Sequence, residues 1–401
     1  MCRRNTLSLL SLQSARRSND LKRDKETGVI RLMKRALFVM VLSAIPGLAH
    51  AQVTTAAGYT PPDDTQAVKV GAVIFYDYTF TKTPKTTDAA GNSISPSAFN
   101  VPRTYINVTG NISHNVSFRI TPDVSRESGT GSSLSGSYTF RMKYGYAQFN
   151  LDQWTGNWKQ TYIRAGIQQT PFIDAQESAY RYRFQGTVFI ERDGGLSSSD
   201  GGVSFHTNLP SNYGDIHVGY YNGEGYGRAE VNDQKAWMLR GTLRPFPGAG
   251  FALKGLRLTG GLLADHAVKS APRQRVLGGV LYEYKRFNAG FDYIALKDKT
   301  LPTSTEVKKD GWSVWATPFF KEKGNGLEAM VRYDSFRANK LTASDARQNR
   351  TIAGLAYWFP HPGGAATAAV LLDFEQIAFK NYTGTIPAKQ QRLALHGLIN
   401  F

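Results

Sequence analysis

The stretch spanning residues 169–201 concentrates side chains suited to handling anions: Glu177, the run Tyr180-Arg181-Tyr182-Arg183, then Glu191, Arg192 and Asp193. A guanidinium is a rigid fork of donors that fits carboxylate or phosphate oxygens two at a time and keeps its charge at physiological pH. Arg181 and Arg183 share a parity, so in an extended segment they point the same way, with Tyr180 and Tyr182 on the other side. With Arg164 upstream and Arg192 downstream, these residues form the candidate anion-contacting set. The same charges allow a second outcome, in which the arginines pair with Glu191 and Asp193 and only anchor the segment. Catalytic patterns are missing: the sequence holds no H-E-x-x-H and no G-x-S-x-G, and its one cysteine is Cys2. Gly223-Glu-Gly-Tyr-Gly227 lacks the spacing of a nucleotide-binding loop, and the histidines are scattered. No metal and no cofactor are expected.

The elements that must position these side chains are strands. From Ala67 to the C-terminus, segments of about ten residues alternate apolar and polar with period two. Sixteen are read, the first over residues 68–80, the fifth over 159–168 and the last over 391–401. In the last, Leu393, Leu395, Gly397, Ile399 and Phe401 fall on one face, suited to lipid; Arg392, Ala394, His396, Leu398 and Asn400 fall on the other, suited to a partly wet interior. A strand at the edge of a soluble sheet shows the same alternation but then needs a second packed layer. Short connections, such as Ser113-His114 and Lys285-Arg286, alternate with longer polar ones, as in a transmembrane barrel and unlike a sandwich. The predicted fold is all-β: an antiparallel transmembrane barrel of about 16 strands, with a long segment after the fifth folded inward.

Parity places Arg119, Arg240, Arg257, Arg275 and Arg332 on the lumen wall, since a charge facing lipid at mid-membrane costs about 2–4 kcal/mol. Asp265, Glu283, Asp292, Glu328, Asp334, Asp373 and Glu375 share that wall, so a basic track and wall-to-wall salt bridges both remain open. Arg141 and Lys143 take the parity of Ala147 and Phe149, which assigns them to the outer surface, near a rim where lipopolysaccharide phosphates would meet them. Aromatic residues near strand ends, Tyr282, Tyr284, Trp312, Tyr357 and Trp358 among them, suit an interfacial girdle.

One run, residues 36–48, has the apolarity of a membrane helix, yet it is too short, since a span needs about 20 residues. Lys34 and Arg35 precede it and Ala49-His50-Ala51 follows, the layout of a secretory signal peptide cut after Ala51. The expected division is a mis-assigned extension over 1–32 with the true start at Met33, the signal over 33–51, a mature N-terminal segment over 52–66 and the barrel over 67–401. Residues 52–401 carry 38 basic and 28 acidic side chains, a net charge of +10. In a secreted protein that balance points to anionic headgroups or solutes and away from nucleic acid.

Three patches resemble the phosphate-selective porin O/P family. Tyr162-Ile-Arg-Ala-Gly-Ile-Gln-Gln-Thr-Pro-Phe172 is similar to that family's strand ending in Gly-Gln-x-x-Thr-Pro-Phe, with Ile167 here standing between Gly166 and Gln168. Phe189-Ile-Glu-Arg-Asp193 resembles its Met-Glu-Arg segment, and Ala353-Gly-Leu-Ala-Tyr-Trp-Phe359, a Pro/Gly turn and two closing strands resemble its C-terminal layout. The resemblance implies a homotrimeric porin in the outer membrane of a Gram-negative bacterium, with residues 169–201 inside the lumen. Its surroundings would be outer-membrane lipid and lipopolysaccharide, and its terminal strand, with Leu393, Leu395, Ile399 and Phe401, would serve insertion by the barrel-assembly machinery. The expected function is passive diffusion of small hydrophilic solutes, with small anions such as phosphate or another oxyanion preferred. A non-selective porin, a barrel hydrolase and an adhesion barrel are the alternatives.

Overall fold

The computed structural model describes residues 66–129, 131–249, 252–341, 345–360, 367–382 and 386–401. The expected start site and signal peptide, and nearly all of the mature N-terminal segment, lie outside the described residues. Sixteen strands form one closed barrel: β1 (Ala67–Thr83), β2 (Ser97–Ser113), β3 (Val116–Arg126), β4 (Tyr138–Asn150), β5 (Lys159–Gln169), β6 (Ser199–Asn208), β7 (Gly214–Tyr221), β8 (Ala236–Leu243), β9 (Leu256–Val268), β10 (Ala271–Tyr284), β11 (Phe287–Asp298), β12 (Val307–Pro318), β13 (Gly326–Arg337), β14 (Arg347–Trp358), β15 (Thr367–Lys380) and β16 (Lys389–Asn400). Every strand pairs antiparallel with its neighbours in sequence. The seam closes between β1 and β16, from Val73 opposite Asn400 to Thr83 opposite Gln391. Ala72 and Phe401 exchange two backbone hydrogen bonds of 2.9 and 3.0 Å at its end. Closure leaves no strand edge unpaired, the condition for a sheet to sit in lipid.

Alternation sets the two surfaces. On β16, Leu395 is 49% exposed and Phe401, just beyond the strand, 63%, whereas Ala394 and His396 are buried. The outer connections depart from the expected lengths in two places. β1 and β2 run past the expected boundary and hold a small ribbon, Thr86–Thr87 with Ser93–Ile94, between them. Between β9 and β10 the connection shrinks to Lys269-Ser270, with Ser270 at φ 65° closing a two-residue turn of the kind that fits strand twist.

A β-bulge overturns one sequence assignment. Thr121 pairs with Tyr144 and Pro122 with Met142, so Lys143 has no partner of its own. The extra residue breaks the period-two alternation in β4. Inner-half residues Tyr144, Tyr146 and Gln148 and outer-half residues Arg141 and Lys143 therefore all face the lumen side, while Met142 and Phe140 face out. Lys143 is buried beside Tyr105, with Nζ 3.3 Å from the phenol oxygen, and Arg141 bonds Asp123 at 3.1 Å. Neither reaches the outer surface assigned from parity.

Candidate functional site

The segment after β5 folds into the barrel, and its local chemistry explains how. Pro171, whose missing N–H costs nothing at a helix start, opens the short helix α1 (Pro171–Glu177), which buries Phe172 and Ile173. The neck is drawn together where the Thr170 amide donates to the Ser198 carbonyl at 3.2 Å. Downstream, Tyr180, Tyr182 and Phe184 dock edge-on against wall aromatics: Tyr180 with Trp315 at 5.2 Å, and Tyr182 and Phe184 with Trp358 at 5.9 and 6.0 Å between centroids. Helix α2 (Phe189–Arg192) buries Phe189 and Ile190 in the same apolar cluster as Ile294, Met330, Ile352 and Leu371. The loop thus seals itself to one side of the barrel by apolar packing.

A cavity of about 500 Å³ remains on the other side, lined by residues of β1 to β10, the turn after β12 and the polar face of the loop. Its charged lining comprises eight Lys and Arg side chains, namely Arg119, Lys143, Arg181, Arg183, Arg240, Arg244, Arg257 and Lys323, against three carboxylates, Asp174, Glu177 and Asp215. Cations thus outnumber carboxylates on the lining, and charges in such a confined space act on one another more strongly than in open water.

The expected site residues divide into lining and scaffold. Arg181 and Arg183 line the cavity and are also paired: Arg181 bonds Glu328 at 2.7 Å, and Arg183 bonds Glu177 at 2.6 Å and lies 3.2 Å from Glu191. Burial opposes the Arg183 charge, but Glu177 and Glu191 outweigh it and raise its pKa. From the wall, Arg119 bonds Asn107 and Thr121, Arg240 pairs with Asp215, and Arg257 with Glu283.

Arg164, Tyr180, Tyr182, Arg192, Arg275 and Arg332 do not line that cavity. Arg164 is fully buried beneath the loop, between the rings of Tyr146 and Tyr162, and donates to Gln148 and Gln169. Loop packing covers a position that parity correctly places on the inner wall. Arg275 donates to the Gly194 carbonyl and Arg332 to that of Thr187, each also holding a carboxylate, Asp298 and Asp334. They fasten the loop. Arg192 sits among Arg332, Arg350, Glu375 and Asp334, with Nη1 lacking a hydrogen-bond partner. Burial, then Arg332 and Arg350, lower its pKa to about 10.

Three cavity cations escaped the sequence reading: Lys143, hidden by the bulge, and Arg244 and Lys323, which belong to inner turns. Lys323 Nζ is 2.9 Å from Glu283, and burial, with Arg181 and Arg257 nearby, lowers its pKa to about 8. A detectable signal for Lys143 was Pro122, which cannot donate to a ladder and marks bulges inside a sheet. Among the described residues no cluster of three or more His, Cys, Asp or Glu suits a metal ion.

No protein-family model and no curated protein matches the sequence. Solved structures do. The anion-selective porin from Comamonas acidovorans is 14% identical with a TM-score of 0.57, covering 84% of this chain and 100% of its own. In vitro folded OmpT of Vibrio cholerae in its trimer form is 14% identical with a TM-score of 0.55, covering 84% and 100%. The outer membrane channel DcaP of Acinetobacter baumannii is 12% identical with a TM-score of 0.54, covering 85% and 100%. The more specific likeness to the phosphate-selective porin O/P family gains no support from these matches. The chain has the sixteen-stranded barrel fold of Gram-negative outer-membrane porins.

Proposed function

We propose that the chain is a homotrimeric outer-membrane channel for passive diffusion of small hydrophilic solutes, preferring anions, with phosphate or a related oxyanion the leading solute. The observation that carries this reading is the cavity lining of eight cationic side chains against three carboxylates. Arg181 and Arg183 from the loop, with Arg119, Arg240 and Arg257 from the wall, are the proposed contacts for passing anions. Its structural neighbours, among them an anion-selective porin, OmpT in its trimer form and an outer membrane channel, support this reading. An adhesion barrel needs a lumen sealed by side chains, which fits poorly with an open cavity of this size. The non-selective alternative draws on the pairing of Arg181, Arg183, Arg240 and Arg257 with carboxylates, which shortens the reach of their field.

The test is the reversal potential of purified protein in a planar bilayer under a potassium chloride gradient. A chloride-favouring potential, with phosphate reducing chloride current more than sulfate does, is the expected result. A cation-favouring potential overturns the anion preference, and protein that inserts without conducting overturns the channel.

A further inference from the structure

We infer that the charge preference of the channel is set by Lys143 and Arg244, two cavity cations with no carboxylate partner among the described residues, more than by the arginines of its ion pairs. The inference deepens the proposed function and rests on it.

A guanidinium bonded to a carboxylate presents a dipole, whose field falls off faster with distance than that of a lone charge. Arg181 with Glu328, Arg240 with Asp215 and Arg257 with Glu283 are such pairs. Lys143 differs. Its side chain lines the cavity at 4% exposure, with Nζ 4.5 Å from the Tyr105 ring centroid and 5.5 Å from that of Tyr144. Its hydrogen bond is to the Tyr105 hydroxyl, and no carboxylate among the described residues lies within ion-pair distance. The acidic group whose charge acts on it is Glu177, which is itself bonded to Arg183. Aromatic faces and one phenol compensate a desolvated ammonium only in part. A passing anion supplies the missing counter-charge, and a passing cation is repelled.

Arg244 follows β8 at the inner rim and also lines the cavity. Its Nε has no hydrogen-bond partner, and Asp215, the acidic group acting on it, is bonded to Arg240. The two charges therefore mark one station in the outer half of the lumen and one at the inner rim, both on the same cavity.

The experiment measures the chloride-to-potassium permeability ratio for the full-length protein and for Lys143→Gln, Arg244→Gln, both together, and the charge-neutral double variant Arg181→Met/Glu328→Met, which removes a bonded pair and leaves no other cation without its carboxylate. Each single change should lower the ratio roughly fivefold, the effect of losing about 1 kcal/mol of coulombic energy. The combination should lower it further, while the charge-neutral variant lowers it by less than either single change. Lys143→Arg keeps the charge and should keep the ratio; it also guards against a glutamine variant that fails to insert. Wild-type ratios in both single variants, or an equal fall in the charge-neutral variant, overturn the inference while leaving an anion-preferring wild type intact. A cation-preferring wild type overturns the function reading itself, and this inference with it.

Discussion

Replacing Glu328 by Gln isolates the contact that holds the loop to the wall. Glu328 is fully buried and accepts three hydrogen bonds of 2.7 Å, from Arg181 Nη2, the Tyr182 hydroxyl and the Gly324 amide. One carboxylate thus ties the loop, the inner turn before β13 and the strand itself. Arg181 lies between aromatic faces, its guanidinium carbon 4.3 Å from the Trp358 ring centroid and 5.1 Å from that of Phe319, and its Nε already lacks a partner. Glutamine preserves the volume but leaves that guanidinium without a counter-ion. Breaking one partner of a buried pair costs about 3–5 kcal/mol. In a chain of this length that loss should lower the unfolding midpoint in detergent by about 5 °C. The double variant Arg181→Met/Glu328→Met removes both charges into an aromatic surround and should recover most of the loss, because a well-packed apolar pair often matches a buried ion pair. Bilayer recordings of the single variant should show added current noise as the loop loosens. A midpoint within about 1 °C of wild type would refute the anchoring role.

Anion preference should fall between pH 7 and 9: Lys323 titrates at about 8, so its charge is present below that value and lost above it, and Lys323→Met should flatten the profile. On the acid side, burial raises the Asp174 pKa against the pull of Arg164 and Arg240, so its negative charge is lost above the ordinary carboxylate range and preference rises as pH falls; Asp174→Asn should remove that limb. Arg192→Met should raise the unfolding midpoint at neutral pH, because a guanidinium with a lowered pKa penalises the folded state at all pH values below about 10; a lower midpoint would show the charge to be needed. Deleting Phe401 removes both backbone bonds to Ala72 at the barrel seam and should cut the yield of assembled protein without altering the permeability ratio of what does assemble.

The barrel was readable because its determinants are local. Alternation on β16 needs only neighbouring residues, and the rhythm of short and long connections needs only their lengths. The long segment after the fifth strand, with its arginines, was equally visible. What each arginine does was not, since that depends on partners distant in the chain: Glu328 lies 147 positions from Arg181. Arg164 follows the parity rule and still misses the cavity, because the decision belongs to the loop folded over it. Lys143 fails for the opposite reason, as parity holds on either side of the bulge and changes phase at that one residue.

The β4 bulge makes Lys143 a separable unit of the chain. Pairing steps directly from Thr121–Tyr144 to Pro122–Met142, so removing residue 143 would join Met142 to Tyr144 in an unbroken ladder, with Arg141 and Tyr144 still inward and Met142 still outward. A single-codon deletion would therefore subtract one lumen charge while every other side chain of the strand kept its face. The reverse insertion would add such a charge to a plain strand. Ion preference in a barrel of this design can thus change by the gain or loss of one codon, a route that comparison by aligned substitutions alone would overlook.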